Sequence, residues 1–204
     1  APDHLGCGLS DKPQKASYNL KAHIEHVHQL LTHLTIKRFH LVVHDWGGAI
    51  GMGLALRRPE QVGKIVLLNT AAFFRPELPR SIAACRLPVV GEFLVRRLNL
   101  FALGAAYMAA RKPLKGPVKR GFLYPYSSYA DRVALYHFVK DIPRDPQHPS
   151  WSTLQAIQRG LPFLKKETLI CCGMQDFCFH EAFLNHWKSL WPHARSLVFP
   201  QAGH

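Results

Sequence analysis

With 204 residues, 48% of them hydrophobic, the chain is long enough to bury one core with room for an insertion, which excludes a disordered or fibrous protein. Five cysteines, at positions 7, 85, 171, 172 and 178, form an odd set without a CxxC pair; this excludes a disulfide scaffold and reads as reduced thiols of a cytoplasmic protein. The formal charge of +13 comes without any nucleic-acid-binding module, so nucleic acid is not the expected partner.

Residues 3–13 are turn-rich, with Gly6, Gly8 and Pro13. Leu20, Ile24, Val27, Leu31 and Leu34 recur at spacings of three and four, which predicts an amphipathic helix over residues 20–34. His23, His26, His28 and His33 lie on that helix without carboxylate or cysteine partners, and they read as a solvated face rather than a metal site. A strand over 39–44, a helix over 47–58 and a strand over 64–68 follow as a parallel βαβ unit.

After Asn69 the pattern changes. Residues 72–150 carry prolines, basic residues and helical patches but no comparable strand, and alternation resumes with a strand over 167–172, a helix over 181–190 and a strand over 195–199. The expected organisation is an α/β core in two parts, 1–71 and 151–204, interrupted by a helical cap over 72–150. Between positions 74 and 121, ten basic residues face only Glu77 and Glu92. Three readings of this band stay open: an anionic lipid or acyl-chain surface giving peripheral membrane contact, an acidic protein partner, or a solvated basic face. The apolar run over 98–110 is too short to span a membrane, which takes about 20 residues.

The strand ending at Val43 runs into His44-Asp45-Trp46-Gly47-Gly48 and then into small and apolar residues. That is the layout of a nucleophile elbow, with an acid where serine usually stands and Val43 in place of the first glycine. Aspartate, with a usual pKa of about 3.9, is ionised at neutral pH, so attack needs no base and leaves a covalent ester. The plainer alternative is an aspartate that only caps the helix. Open parallel sheets place their sites at the carboxyl ends of the strands. Asp176 follows the strand over 167–172 and His204 follows the strand over 195–199, so Asp45, Asp176 and His204 have the chain order of nucleophile, acid and histidine.

The Asp3-x-x-Gly6-x-Gly8-x-Ser10-Asp11-Lys12-Pro13 motif, the elbow and the terminal Ala202-Gly203-His204 resemble the α/β-hydrolase superfamily, and within it the haloalkane dehalogenase branch, over essentially the whole chain. The resemblance implies a mostly parallel sheet flanked by helices with an inserted helical cap. It also implies that Trp46 supplies an oxyanion N–H and an indole N–H for the departing anion. Some members carry the acid just after the strand equivalent to 64–68; Asn69-Thr70-Ala71 has none, which leaves the role to Asp176. The chain opens at Ala1 rather than methionine and stops where a strand-to-helix connection begins, so it is expected to be a piece of a longer protein. The first strands and the family's other anion donor, an asparagine, would then precede residue 1. Residues 1–204 alone are expected to turn over weakly or not at all.

Narrower matches are Leu67-Leu68-Asn69-Thr70-Ala71-Ala72-Phe73, residues 124–134, Phe138-Val139-Lys140-Asp141-Ile142-Pro143 and Gly173-Met174-Gln175-Asp176-Phe177-Cys178-Phe179. They look like the β-lactone decarboxylases of bacterial long-chain olefin biosynthesis. The resemblance implies conversion of a dialkyl β-lactone to a cis-olefin and carbon dioxide, with no cofactor or metal, and association with the other enzymes of that pathway. Two alkyl tails call for an apolar cavity, with Phe73, Phe74, Leu98, Phe101, Leu103, Tyr107, Met108 and Phe122 as its lining or as ordinary core. Tyr124, Tyr126, Asp131 and Arg132 are polar site groups or structural ones, and Asp141 is a weaker choice of acid. Haloalkane dehalogenase, then epoxide hydrolase, are the competing enzymes, and a scaffold docking through the basic cap is the non-enzymatic alternative.

Overall fold

The computed structural model describes residues 1–204. Helix α1 (Leu20–His33) precedes β1 (Phe39–Asp45), α2 (Trp46–Arg57) and β2 (Val62–Thr70). Residues 72–150 form α3 (Arg80–Cys85), α4 (Val90–Glu92), a π-helical turn (Phe93–Arg97), α5 (Leu100–Met108), α6 (Gly116–Leu123) and α7 (Val133–Lys140), with no strand. Helix α8 (Trp151–Gly160), β3 (Thr168–Gly173), α9 (Glu181–Leu190) and β4 (Arg195–Phe199) complete the chain.

The four strands pair in the order β1-β2-β3-β4, all parallel. Successive side chains point to opposite faces of a strand. Val43, Ile65, Leu67, Ile170 and Cys172 are buried, whereas the alternate residues Val66, Leu68, Leu169 and Cys171 are half-buried and Val42 is exposed. The buried set belongs to one core with Ile24 of α1, Met52 of α2, Ile157 of α8 and Trp187 of α9. The Trp187 indole donates to the Thr70 carbonyl at 2.8 Å and that of Trp191 to Leu161 at 2.9 Å, so both rings are buried without an orphaned N–H.

The cap is tied together by polar groups, of which Arg132 and Asp141 are buried and Asp131 half-buried. The Arg132 guanidinium donates to the carbonyls of Arg96, Tyr126 and Ser127, and Asp131 accepts from the Ser128 N–H at 2.8 Å. Asp141 accepts from the Leu20 N–H at 2.7 Å and from the Ser150 hydroxyl, anchoring the first turn of α1. Arg132, Asp131 and Asp141 thus make structural hydrogen bonds. Helix α5 is shorter than the apolar run over 98–110, because Asn99 takes a left-handed φ of 56° just before it. No helix is long and apolar enough to cross a membrane.

One expectation is overturned on α1. His23 is not on a solvated face: it is 1% exposed, stacks on Phe138 with 4.4 Å between ring centroids, and has no hydrogen-bond partner at either nitrogen. Its position three residues after Leu20 and four before Val27 puts it on the apolar stripe, and packing overrides its polarity. Burial, aided by the charges of His4 and His26, drives its pKa from 6.5 to about 3. The unfolded chain takes up this proton first, so the contribution is complete above pH 6.5 and is lost as pH falls towards about 3. Denaturant titrations below pH 6.5 are expected to show stability falling by up to about 1.4 kcal/mol per pH unit through this group. His23→Phe should flatten that acid limb; an unchanged pH profile in the variant would contradict the assignment.

Candidate active site

Asp45 ends β1 with φ 49° and ψ −125°, a strained conformation for a non-glycine residue. Its side chain makes no capping bond to α2, so the capping alternative does not hold. Thr70 at the end of β2 donates its hydroxyl to the Asp45 carbonyl, which clamps the elbow from below. Val43 stands where the common elbow pattern has glycine, and the space is recovered one turn into α2. A Cβ on Gly51 would come within 2.6 Å of the Val43 side chain. Trp46 opens α2 and packs its ring against Phe138 at 5.5 Å.

The ends of β3 and β4 bring the other two groups to Asp45. The loops after these strands are zipped by main-chain bonds, Met174 N–H to the Phe199 carbonyl at 3.1 Å and Gln175 N–H to the Ala202 carbonyl at 2.9 Å. Gly173 permits this approach, since a Cβ there would collide with the Gly203 carbonyl. His204 Nδ1 thus donates to Asp176 Oδ2 at 2.8 Å, and Nε2 lies 3.5 Å from Asp45 Oδ2. The other Asp176 oxygen, Oδ1, accepts from the N–H groups of Cys178 at 2.6 Å and Phe179 at 2.9 Å. All three residues expected from the sequence meet at one point.

Electrostatics follow from this packing. Burial resists the charged form of His204, but the hydrogen bonds and charges of Asp176 and Asp45 outweigh it and raise the pKa to about 9. Burial likewise opposes ionisation of Asp176, yet the His204 bond and the two backbone N–H groups hold it below the ordinary carboxylate value. Cys178 is pushed up to about 12 by burial and by the charges of Asp176 and Asp45, which keeps its thiol protonated and unreactive. No three His, Cys, Asp or Glu side chains converge as a metal-ligand set.

Two neighbours carry no signal in the sequence. His44 sets its ring 4.4 Å from that of His204, and burial followed by the His204 charge lowers its pKa. Asn69 accepts from the Gly173 N–H at 2.7 Å and donates to the carbonyls of Gly173 at 3.0 Å and Phe179 at 3.3 Å. It straps together both sides of the turn that carries Asp176. Phe179 stacks on the His204 ring at 5.7 Å.

The expected apolar enclosure is only partly formed. The Asp45 side chain is 48% exposed. Phe73 is core, stacked between His186 and Phe183 rather than lining a site, and Phe74 stacks on Trp151. Phe101 packs on the small cap cluster of Cys85, Val95, Tyr136 and Val139, while Leu98, Tyr107, Met108 and Phe122 are exposed. Tyr124 is exposed, and Tyr126 uses its hydroxyl to accept from the Gly8 N–H at 3.2 Å.

A family model described as the alpha/beta hydrolase fold matches residues 1–113. Over the whole chain, the sequence is 42% identical to a cis-3-alkyl-4-alkyloxetan-2-one decarboxylase of Shewanella oneidensis and 36% identical to one of Xanthomonas campestris. The chain spans 66% and 72% of the lengths of these two relatives. An ancestral haloalkane dehalogenase of known structure superimposes with a TM-score of 0.89 at 23% identity, over 100% of this chain and 74% of its own.

The geometry makes a prediction that needs no substrate. In NMR titrations the His204 imidazole should lose its proton near pH 9, and Asp176→Asn should bring that midpoint down towards the ordinary value of 6.5. Asn69→Ala should lower it as well, through a loosened Asp176 turn. A midpoint unmoved by Asp176→Asn would contradict the pairing.

Proposed function

The chain belongs to the α/β-hydrolase family, and from that premise we propose that it is a β-lactone decarboxylase, converting a cis-3,4-dialkyl-oxetan-2-one to a cis-olefin and carbon dioxide with Asp45 as nucleophile. What carries this reading is the whole-chain likeness to two proteins named as decarboxylases of such lactones, together with a carboxylate at the elbow.

The chemistry balances without water. An Asp45 oxygen attacks the ring carbon that bears the lactone oxygen, forming an ester bond and breaking that carbon–oxygen bond, whose electron pair leaves as a free carboxylate. The bond between that carboxylate and the adjacent ring carbon then breaks. Its pair forms the C=C double bond, carbon dioxide departs and Asp45 is released as carboxylate. Inversion at the attacked carbon followed by anti elimination retains the cis relationship of the two alkyl groups. No proton is gained or lost overall, so His204 serves as a cation. With a pKa of about 9 it is an imidazolium at neutral pH, held by Asp176 and facing the carboxylates that form and vanish in the cycle. Trp46, at the start of α2, is the proposed donor to the newly freed carboxylate.

Haloalkane dehalogenation is the second reading, favoured by 39% identity over 86% of this chain to a protein named haloalkane dehalogenase. There Asp45 displaces halide, and His204 must take a proton from water. That role needs neutral imidazole, which the free enzyme disfavours until esterification removes the Asp45 charge.

Long-chain cis-β-lactone and, separately, a bromoalkane given to the full-length protein separate the two. Cis-olefin with carbon dioxide is expected from the first and no bromide from the second, and Asp45→Asn should cut turnover by more than about 10³-fold. Bromide release with the lactone left intact would refute the proposal. Because the active form holds His204 protonated, kcat/KM for lactone should fall as pH rises through about 9.

A further inference from the structure

Residues 93–130 contain no Asp or Glu and seven Lys or Arg. Of the seven, Arg96 alone is ion-paired, to Glu92 on the preceding turn. Arg111, Lys112, Lys115 and Arg120 are exposed, and all four flank or lie on α6. No residue of α6 is buried. Val118 and Phe122, four residues apart and so on one face of the helix, are 56% and 63% exposed. Helix α6 is held to α5 through Lys119, whose ammonium lies 3.9 Å from the centre of the Tyr107 ring. An amphipathic pattern thus exists here with its apolar face turned to water and its charges unneutralised.

We propose that the α5–α6 hairpin of the cap docks on anionic phospholipid bilayers, with α6 lying in the interface. Val118 and Phe122 would enter the acyl boundary, and Arg111, Lys112, Lys115 and Arg120 would meet the headgroups. Charge complementarity selects this occupant: the cations are spread over a helix with no buried residue and over its flanks, with no carboxylate among them. A diffuse negative surface satisfies such a set, and the apolar pair between the cations needs a hydrocarbon layer directly beneath that surface. This surface adjoins the site through the end of α5. The Ala109 carbonyl at its end accepts from the His204 N–H at 2.8 Å. If the decarboxylase reading holds, and only on that reading, a substrate with two alkyl tails would reach Asp45 from the bilayer rather than from water.

Co-sedimentation of the full-length protein with phosphatidylcholine vesicles, with and without phosphatidylglycerol, tests the docking without any turnover. At low salt, binding to the phosphatidylglycerol vesicles should be at least about tenfold stronger than to phosphatidylcholine alone, and high salt should remove the preference. The Lys112→Glu, Lys115→Glu, Arg120→Glu triple variant should lose that tenfold, and Phe122→Asp should weaken binding while leaving thermal unfolding unchanged. All four positions are exposed, so the fold is retained. Absence of binding to phosphatidylglycerol vesicles, binding unaltered in both variants, or retention by an acidic protein without retention by vesicles would each overturn the proposal. A failed lactone assay beside intact vesicle binding would count against the decarboxylase reading alone.

Discussion

A buried aspartate holding a histidine in its charged form is the constraint on which the rest of this structure depends. Asp176 has no exposed side-chain surface, and an ionised carboxylate in that position is costly unless every lone pair has a donor. His204 and the Cys178 and Phe179 N–H groups are those donors. Their placement in turn requires the loops after β3 and β4 to touch, which needs Gly173 and the Asn69 strap. The parallel sheet supplies the common level at which three strand ends can meet. Loss of any one of these supports leaves a charge buried without its partner, so the site and its scaffold stand or fall together.

Strain and packing divide the work at the elbow. The left-handed φ of Asp45 lifts its carboxylate out of the α2 backbone, where an ordinary cap would have used it. Thr70 and the Val43–Gly51 contact hold that conformation from the core side. What faces the outside is left to the cap, whose own core is small and whose outer helices present apolar and basic side chains together. Rigid geometry is thereby built on the sheet, and the exposed apolar and basic side chains are carried by the insertion.

The parts legible from the sequence are those where period and position are enough. Strand alternation located β3 and β4 to within a residue, and the order Asp45, Asp176, His204 along the strand ends anticipated their convergence. Side-chain identity misled, or left the choice open, where tertiary packing decides. His23 looks solvated by type yet stacks on Phe138, and Phe73, cavity lining or core by type alone, fills the space against α9. Asn69 was noticed only as the lack of an acid; its strap on the Asp176 turn depends on pairing between β2 and β3, residues about one hundred apart in the chain. His44 beside His204 is likewise invisible until the loops close.

The proposed decarboxylation rests on a bond forming between substrate and Asp45. Rapid-quench mass spectrometry of the enzyme mixed with a long-chain cis-β-lactone measures it most directly. The peptide carrying Asp45 should transiently gain the mass of the intact lactone and then return to its original mass as olefin appears. Olefin formation with no adduct at Asp45, or with the adduct on another residue, would contradict it.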